Sequence, residues 1–301
     1  MPCPPLLDPE GTWTRTLARL RGATVLFLLF ATIIPLNALQ IACLVVRLFS
    51  PAAFKSINRW GANAWWGGCT RAAAWGYGTR IELSGDPLPL RENVMLLANH
   101  QQMADITFLM FLGLRQQRLG DMKWFVKDVL KWVPGVGWGM RYLDCFFVKR
   151  NWTEDKASIA ATFAAILRYA RPVWVVLFPE GTRVNPSKIA RGQHRALAKG
   201  RFQLDHVLTP HTKGFTASIG GLRQHLNAVY DVTIGYQDGV PSLWQYIQGF
   251  GRLAHVHVRR HPIETLPLDE TELTAWLQQR WHEKDARLAR FYQRGAFDGV
   301  D

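Results

Sequence analysis

Two short stretches of this chain place groups that do acid–base and phosphate chemistry directly after apolar runs. The first is Asn99-His100-Gln101-Gln102-Met103-Ala104-Asp105, which follows Val94 to Ala98 (VMLLA). On one continuous helix, residues five apart point about 140° away from each other, so His100 and Asp105 would not meet. If His100 sits in a loop and Asp105 opens the next helix, the carboxylate turns back onto the imidazole. It then fixes the tautomer through one ring nitrogen and leaves the other to take a proton. That is a general base with its orienting partner. The second stretch is Phe178-Pro179-Glu180-Gly181-Thr182-Arg183, after PVWVVL. Its turn offers backbone N–H groups, a hydroxyl and a guanidinium at one sheet edge, a set suited to phosphate. From Arg183 to Lys213, seven Lys and Arg face a single acid, Asp205. A third, weaker candidate is Val148-Lys149-Arg150, following LDCFF. Alone, each has an ordinary explanation: a structural histidine, a solvated basic face, a charge at a strand end.

Positioning such groups requires strands that end where they stand. Short β-rich runs are predicted at Asn93–Ala98, Tyr142–Val148, Val173–Phe178, Tyr230–Tyr236 and His255–Val258. Helical patterns are predicted at Ala104–Leu114, Trp124–Trp132 and Thr153–Tyr169. This alternation predicts an α/β domain with a mixed β-sheet flanked by helices. Asp269, with Glu272 three residues on, resembles a capping box opening a last helix whose apolar face is Leu273, Trp276, Leu277, Leu288 and Phe291. That helix reads as packing.

Residues 22–46 form a different kind of segment, with no charge over 25 positions. As a helix they would reach roughly 37 Å, enough for a hydrocarbon core of about 30 Å. Arg15, Arg19 and Arg21 flank one end; Arg47, Lys55 and Arg59 flank the other, so charge does not choose an orientation. Pro35 is expected to kink the helix near its middle. A cleaved signal peptide and a buried core helix are the competing readings; a membrane-embedded anchor fits best. Trp60, Trp65, Trp66, Trp75 and Tyr77 then lie among small residues and a few basic ones, as in a helix lying at the headgroup layer. The division expected is 1–79 as membrane-anchoring helices and 80–301 as the α/β domain.

Of 301 residues, 48% are apolar and 20% charged, which excludes a disordered chain. The net charge of +13 points to an anionic partner: nucleic acid, membrane or a phosphorylated substrate. No recognition motif supports nucleic acid. Cys3, Cys43, Cys69 and Cys145 are widely spaced, and they read as free thiols in a reducing compartment with no zinc site.

Taken together, Asn-His-x-x-x-x-Asp, a strand ending in Arg about 45 residues on, and Phe-Pro-Glu-Gly-Thr-Arg resemble the motifs of the glycerophospholipid (lysophosphatidic acid) acyltransferase family. His100 and Asp105 match the first motif, Phe147 to Arg150 the second, Phe178 to Arg183 the third, and Val207-Leu208-Thr209-Pro210 a fourth. Lys127, with Leu130, Pro134 and Gly137, fits the stretch between the first two. The sequence around NWTEDK and HTKGF is similar to the branch of lysocardiolipin and lysophosphatidylglycerol acyltransferases and related bacterial enzymes. The resemblance spans residues 80–297. It implies transfer of an acyl group from acyl-CoA or acyl carrier protein to a lysophospholipid hydroxyl, with His100 as base and Asp105 as its partner. It implies substrate-binding positions at Arg150, Glu180, Gly181, Thr182, Arg183, Lys127 and Pro210, with no metal or cofactor. It also implies a membrane location with the site facing the cytoplasm (the inner membrane, if bacterial). The acceptor expected is 1-acylglycerol-3-phosphate, with lysophosphatidylglycerol or lysocardiolipin as the alternative. A non-catalytic protein that binds anionic lipid is the reading from another class; such a binder has no use for a base.

Overall fold

Both faces of the run at 94–98 are covered, and that is why it lacks alternation. The computed structural model describes residues 3–149, 151–198, 200 and 202–298. The chain opens with three helices, α1 (Thr12–Ala42), α2 (Leu44–Phe49) and α3 (Pro51–Tyr77). Then come β1 (Arg80–Gly85), β2 (Val94–Ala98), α4 (Ala104–Arg115), β3 (Met122–Lys127), α5 (Val136–Tyr142), β4 (Phe146–Val148) and α6 (Trp152–Arg168). The remainder is β5 (Trp174–Leu177), α7 (Pro186–Leu197), α8 (Lys213–Leu222), β6 (Ala228–Gly235), α9 (Leu243–Ile247), β7 (Leu253–Pro262) and α10 (Glu270–Arg294).

The seven strands form one mixed sheet in the order β1-β7-β6-β2-β5-β3-β4. β6, β2, β5, β3 and β4 are mutually parallel, whereas β7 runs antiparallel to β6 and β1 parallels β7. Val94, Leu96 and Ala98 of β2 point into one core with Phe108 and Leu112 of α4 and with Ala62 and Trp66 of α3. Met95 and Leu97 point into the other, with Phe163 of α6, Phe215 of α8 and Leu277 of α10. The connection leaving β2 therefore crosses the first face through α4 toward β3. The connection leaving β5 crosses the second face through α8 toward β6. Adjacent strands whose connections leave in opposite directions open a crevice at their carboxyl ends, the usual ligand position in such sheets. His100 follows one of these strands and Glu180 the other.

The alternation predicted this mixed sheet, but two expectations need correction. Trp124–Trp132 is not a helix: Met122–Lys127 is strand β3, and Asp128–Trp132 is a 3₁₀ turn. A short apolar run buried between β5 and β4 has no period that separates strand from helix. The strand expected at Tyr142–Val148 is only Phe146–Val148, because Tyr142 ends α5 and Asp144 turns the chain at φ 57°, held by Lys55 and Arg171. Helix α1 runs on through Pro35 to Ala42, and the helical stretch is interrupted at Cys43. β1, on the sheet's outer edge, is only partly buried and gave no clear pattern.

The last helix starts as expected, with the Asp269 carboxylate accepting from the Thr271 and Glu272 N–H groups. Its buried face, however, carries charge. Lys284 lies 2.6 Å from Asp231 of β6, both fully enclosed, and it also donates to the Val232 carbonyl; Arg287 donates to the Thr233 hydroxyl at 2.7 Å. His255, His257 and His261 of β7 lie under the same helix against Phe291, Ser84 and Trp276.

Two outcomes follow. Lys284→Met leaves the buried Asp231 with only Arg287, 3.7 Å away, as its counter-charge and should cost about 3 kcal/mol of stability, read by denaturant unfolding in detergent. Burial, with Arg287 adding to it, pushes His257 down to about 4, and burial likewise lowers His255 and His261. The unfolded chain then takes up protons near 6.5 that the folded chain refuses, so stability is lost as pH falls from 6.5 toward 4. The thermal midpoint should drop across that window, and His257→Gln should flatten the drop.

Candidate active site

Asn99 ends β2 by bonding sideways to the neighbouring strand. Its amide donates to the Ile234 carbonyl at 3.0 Å and accepts from the Ile234 N–H at 2.8 Å. The chain then leaves the sheet at His100, and α4 begins at Ala104 with Asp105 in its first turn. This is the loop-then-helix arrangement that lets the pair meet. His100 Nδ1 donates to Asp105 Oδ2 at 2.9 Å, which leaves Nε2 as the free ring nitrogen. The same oxygen accepts from the Gln101 and Gln102 N–H groups at 2.7 and 2.8 Å. Oδ1 accepts from the Tyr236 hydroxyl at 2.6 Å. Asp105 is fully buried, so four donors hold an anion in a place where an unpaired one would be very costly. Burial, together with the adjacent carboxylate, raises Tyr236 well above the usual phenol range, so it remains a donor. The imidazole lies over Phe178, with ring centroids 4.2 Å apart and planes 22° from parallel.

Phe178 belongs to the second motif, and the turn there brings the two motifs together. The Gly181 N–H donates to the Phe178 carbonyl at 3.0 Å, and Gly181 has φ 64°, a left-handed conformation that a side chain would strain. The Val184 N–H donates to the His100 carbonyl at 2.8 Å. Glu180 points inward. Its Oε1 accepts from the His100 N–H and its Oε2 from the Leu208 N–H, both at 3.1 Å. It thus ties the first motif to the stretch before Pro210 from beneath. Burial pushes this carboxyl up to about 8, although the two N–H donors pull the other way. Thr182 accepts from Lys188 at 2.8 Å, and the exposed Arg183 donates to the Gln102 side chain at 2.8 Å. Pro210 is buried, and its neighbour His211 lies over Gly181.

Lys127 is exposed at the carboxyl end of β3, on the same sheet edge, with no bond to the His100 cluster. Arg150 lies outside the described residues; Lys149 before it is engaged with Glu154 and Asp155. The structure therefore brings His100, Asp105, Glu180, Gly181, Thr182, Arg183 and the Leu208–Pro210 stretch together, with Lys127 apart.

Several contributing residues gave no sequence signal. Tyr236 stands at the end of a strand that was legible, but nothing marks its hydroxyl as a partner of Asp105. Gln101 donates to the Ile234 carbonyl at 2.6 Å and accepts from the Tyr292 hydroxyl of α10 at 3.1 Å. Asp285 of α10 accepts from the Asp205, His206 and Val207 N–H groups, fixing the stretch that Glu180 also holds. The last helix thus does more than pack. Above about pH 8, where Glu180 is a carboxylate, Glu180→Gln should disturb the site, since an amide accepts from only one of the two N–H groups and turns a donor toward the other. The expected cost is about 1–3 kcal/mol in thermal or denaturant stability, with a parallel loss of activity.

Comparison with known proteins fits this arrangement. The family model described as Acyltransferase matches residues 80–231, and that described as Acyltransferase C-terminus matches residues 245–301. Lysocardiolipin acyltransferase 1 of Gallus gallus is 34% identical over 223 residues, covering 73% of this chain and 59% of that protein. This chain therefore spans less than two thirds of that relative's length. The 1-acyl-sn-glycerol-3-phosphate acyltransferase gamma of Homo sapiens is 32% identical over 269 residues, covering 88% of this chain and 72% of that one. The crystal structure of the 1-acyl-sn-glycerophosphate (LPA) acyltransferase PlsC from Thermotoga maritima shares the fold, with a TM-score of 0.55 at 17% identity over 92% of this chain and 98% of that one. By these matches, the chain belongs to the acyltransferase family that includes the 1-acyl-sn-glycerol-3-phosphate and lysocardiolipin acyltransferases.

Proposed function

We propose that this protein is a membrane-associated O-acyltransferase that moves a fatty acyl group from an acyl thioester to a free hydroxyl of a lysophospholipid. One observation carries the reading. His100 is oriented by a buried carboxylate through Nδ1, with Nε2 free, at the crevice between the carboxyl ends of β2 and β5. In the reaction, the acceptor hydroxyl oxygen attacks the thioester carbonyl while His100 Nε2 takes its proton. The tetrahedral intermediate then expels the thiolate, breaking the C–S bond, and the imidazolium returns the proton to sulfur. A thioester is already activated, so a base and stabilisation of the oxyanion suffice. Asp105 stabilises the imidazolium and stays ionised.

Arg183 is tethered to Gln102, two residues from His100, so a phosphate that it holds places an acceptor hydroxyl beside the base. On this reading Arg183 and Arg150 bind the acceptor, Glu180 and Gly181 shape the turn that presents Arg183, and Lys127, Thr182 and Pro210 line the same edge. The acceptor we favour is 1-acylglycerol-3-phosphate, named in relatives that align over most of this chain. Lysocardiolipin or lysophosphatidylglycerol is the second reading, supported by the 34% identity to the lysocardiolipin relative. The donor is acyl-CoA or acyl carrier protein.

The membrane part of the proposal rests on α1. Among the described residues, Thr12–Phe49 is the one helical stretch long and apolar enough to cross a membrane. Its two amides face inward: Asn37 and Gln40 are buried with Ala18, Gly22 and Ile33, while Leu20, Phe27, Leu28, Ile34 and Ile41 are exposed. Asn37 accepts from the Gly135 N–H at 2.8 Å, and Gly22 lies against Trp244 and Gln248. A helix that rests on the α/β domain from Ala18 to Gln40 with an apolar outer side lies in the membrane surface along the domain, rather than standing away from it. Within the anchoring segment expected at 1–79, we place α1 as this membrane-resting part, with the α/β domain on the cytoplasmic side; Pro5 and Leu6 before it pair with Val240 of that domain.

The test is thiol release from acyl-CoA, or from acyl carrier protein, by purified protein with a panel of lysophospholipids. Release should require one acceptor. It should fall by about 10²–10⁴-fold in His100→Ala, and by a similar order in Asp105→Asn, which presents the wrong tautomer. Tyr236→Phe, which leaves Asp105 Oδ1 without its donor, should lower kcat by about tenfold with little change in KM. Full release in His100→Ala would overturn the assignment of the base.

A further inference from the structure

We propose that the stretch from Asp128 to Trp138, inside the α/β domain, is a second membrane-docking element that seats in the headgroup–acyl boundary of an anionic bilayer. The proposal rests on the membrane reading of α1 given above. The stretch leaves β3 at its carboxyl end, on the same sheet edge as His100. It exposes large apolar side chains at close spacing: Val129 at 64%, Trp132 at 67%, and Val133 and Val136 at nearly half. Water-facing segments of a soluble surface rarely gather so many, and an aromatic–aliphatic mix is typical of a membrane interface.

The patch is continuous with the outer side of α1. A Cβ on Gly135 would meet Ile33 at 3.2 Å and the Phe30 ring at 3.9 Å, and the Asn37–Gly135 hydrogen bond locks the turn to the helix. Whatever covers Phe27 and Phe30 therefore also approaches Val133 and Val136. Charge agrees. Lys127 and Arg141 are exposed at the two ends of the stretch, and the Lys131 ammonium lies 5.4 Å from the Trp132 ring centre. Asp128, the stretch's one acid, is neutralised by Lys131 at 2.8 Å. Basic groups rimming apolar ones match an anionic headgroup layer over acyl chains. The opposite edge differs: in the loop before β2, the acids Asp86 and Glu92 pair with Arg259 and Arg260, and Leu90 is its one large exposed hydrophobic. The sheet edge that holds His100 would thus lie against the bilayer on two supports, α1 and this stretch. A lysophospholipid could then reach the base without leaving the interface.

The experiment places the photo-crosslinker p-benzoyl-phenylalanine at Val129, Trp132, Phe27 or Leu90, one position at a time. The full chain is reconstituted into vesicles of phosphatidylethanolamine and phosphatidylglycerol, and lipid adducts are read by mass spectrometry. This readout is independent of enzyme activity, and the two positions within the stretch guard against one substitution disturbing the fold. Adducts at Val129 and Trp132 as at Phe27, with none at Leu90, are expected. An adduct at Phe27 with none at Val129 or Trp132 would overturn the proposal while leaving the α1 reading intact. Absence of adducts at Phe27 as well would overturn both. Equal adducts at Leu90 would show that the stretch has no preference for lipid and would overturn the proposal too.

Discussion

A carboxylate with no access to water has to be surrounded by donors, and the Asp105 anion sets the geometry of everything around it. Its partners are the His100 ring and two backbone N–H groups, all from the loop between β2 and α4, and a hydroxyl just past the end of β6. Any shift of α4 against the sheet would strip one of them, leaving a buried charge short of a bond. The same four bonds fix the imidazole of His100, so the condition for folding this corner and the condition for orienting that ring are one and the same.

The second motif meets that corner from the other side of the crevice. Glu180 is spent on the backbone of His100 and Leu208 and not on the open face, so its part in the site is to hold two loops at a fixed separation. Asp285 grips the same loop from α10, and Lys284, one residue earlier, anchors α10 to β6 through Asp231. The charges buried between α10 and the sheet thus form the foundation of the site. Their cost in desolvation is offset only because each has a partner, and neutral histidines fill the remaining space.

Our proposal that α1 rests in lipid draws on an inversion of ordinary patterning. In α1 the amides of Asn37 and Gln40 face protein while phenylalanine and leucine face outward. The two threonines of its uncharged stretch, Thr24 and Thr32, return their hydroxyls to carbonyls of their own helix. This is how a helix satisfies its polar groups where no water is available. On our proposal the site opens along that surface, which suits an acceptor and a product that both reside in the bilayer.

Much of this was legible from residue types alone. Apolar runs ending in His100 and in Pro179-Glu180 gave two central strands, and the spacing of His100 and Asp105 required a loop followed by a helix start. The uncharged stretch 22–46 announced a long helix with an apolar outer side. What stayed hidden were the contacts that join residues distant in sequence. Tyr236 is 131 positions from Asp105 and Tyr292 is 191 from Gln101, and a hydroxyl at a strand or helix end has the same local signature whether or not it meets a carboxylate. The run at 122–126 could not declare itself a strand, because a segment packed on both faces loses the alternation that identifies one. Nor could Glu180 declare which way it points. Sequence determined the groups and the local turns that present them, since these depend on neighbours along the chain. Only the packed sheet decided which groups meet, because the crevice exists only where β2 and β5 lie side by side and send their connections to opposite faces.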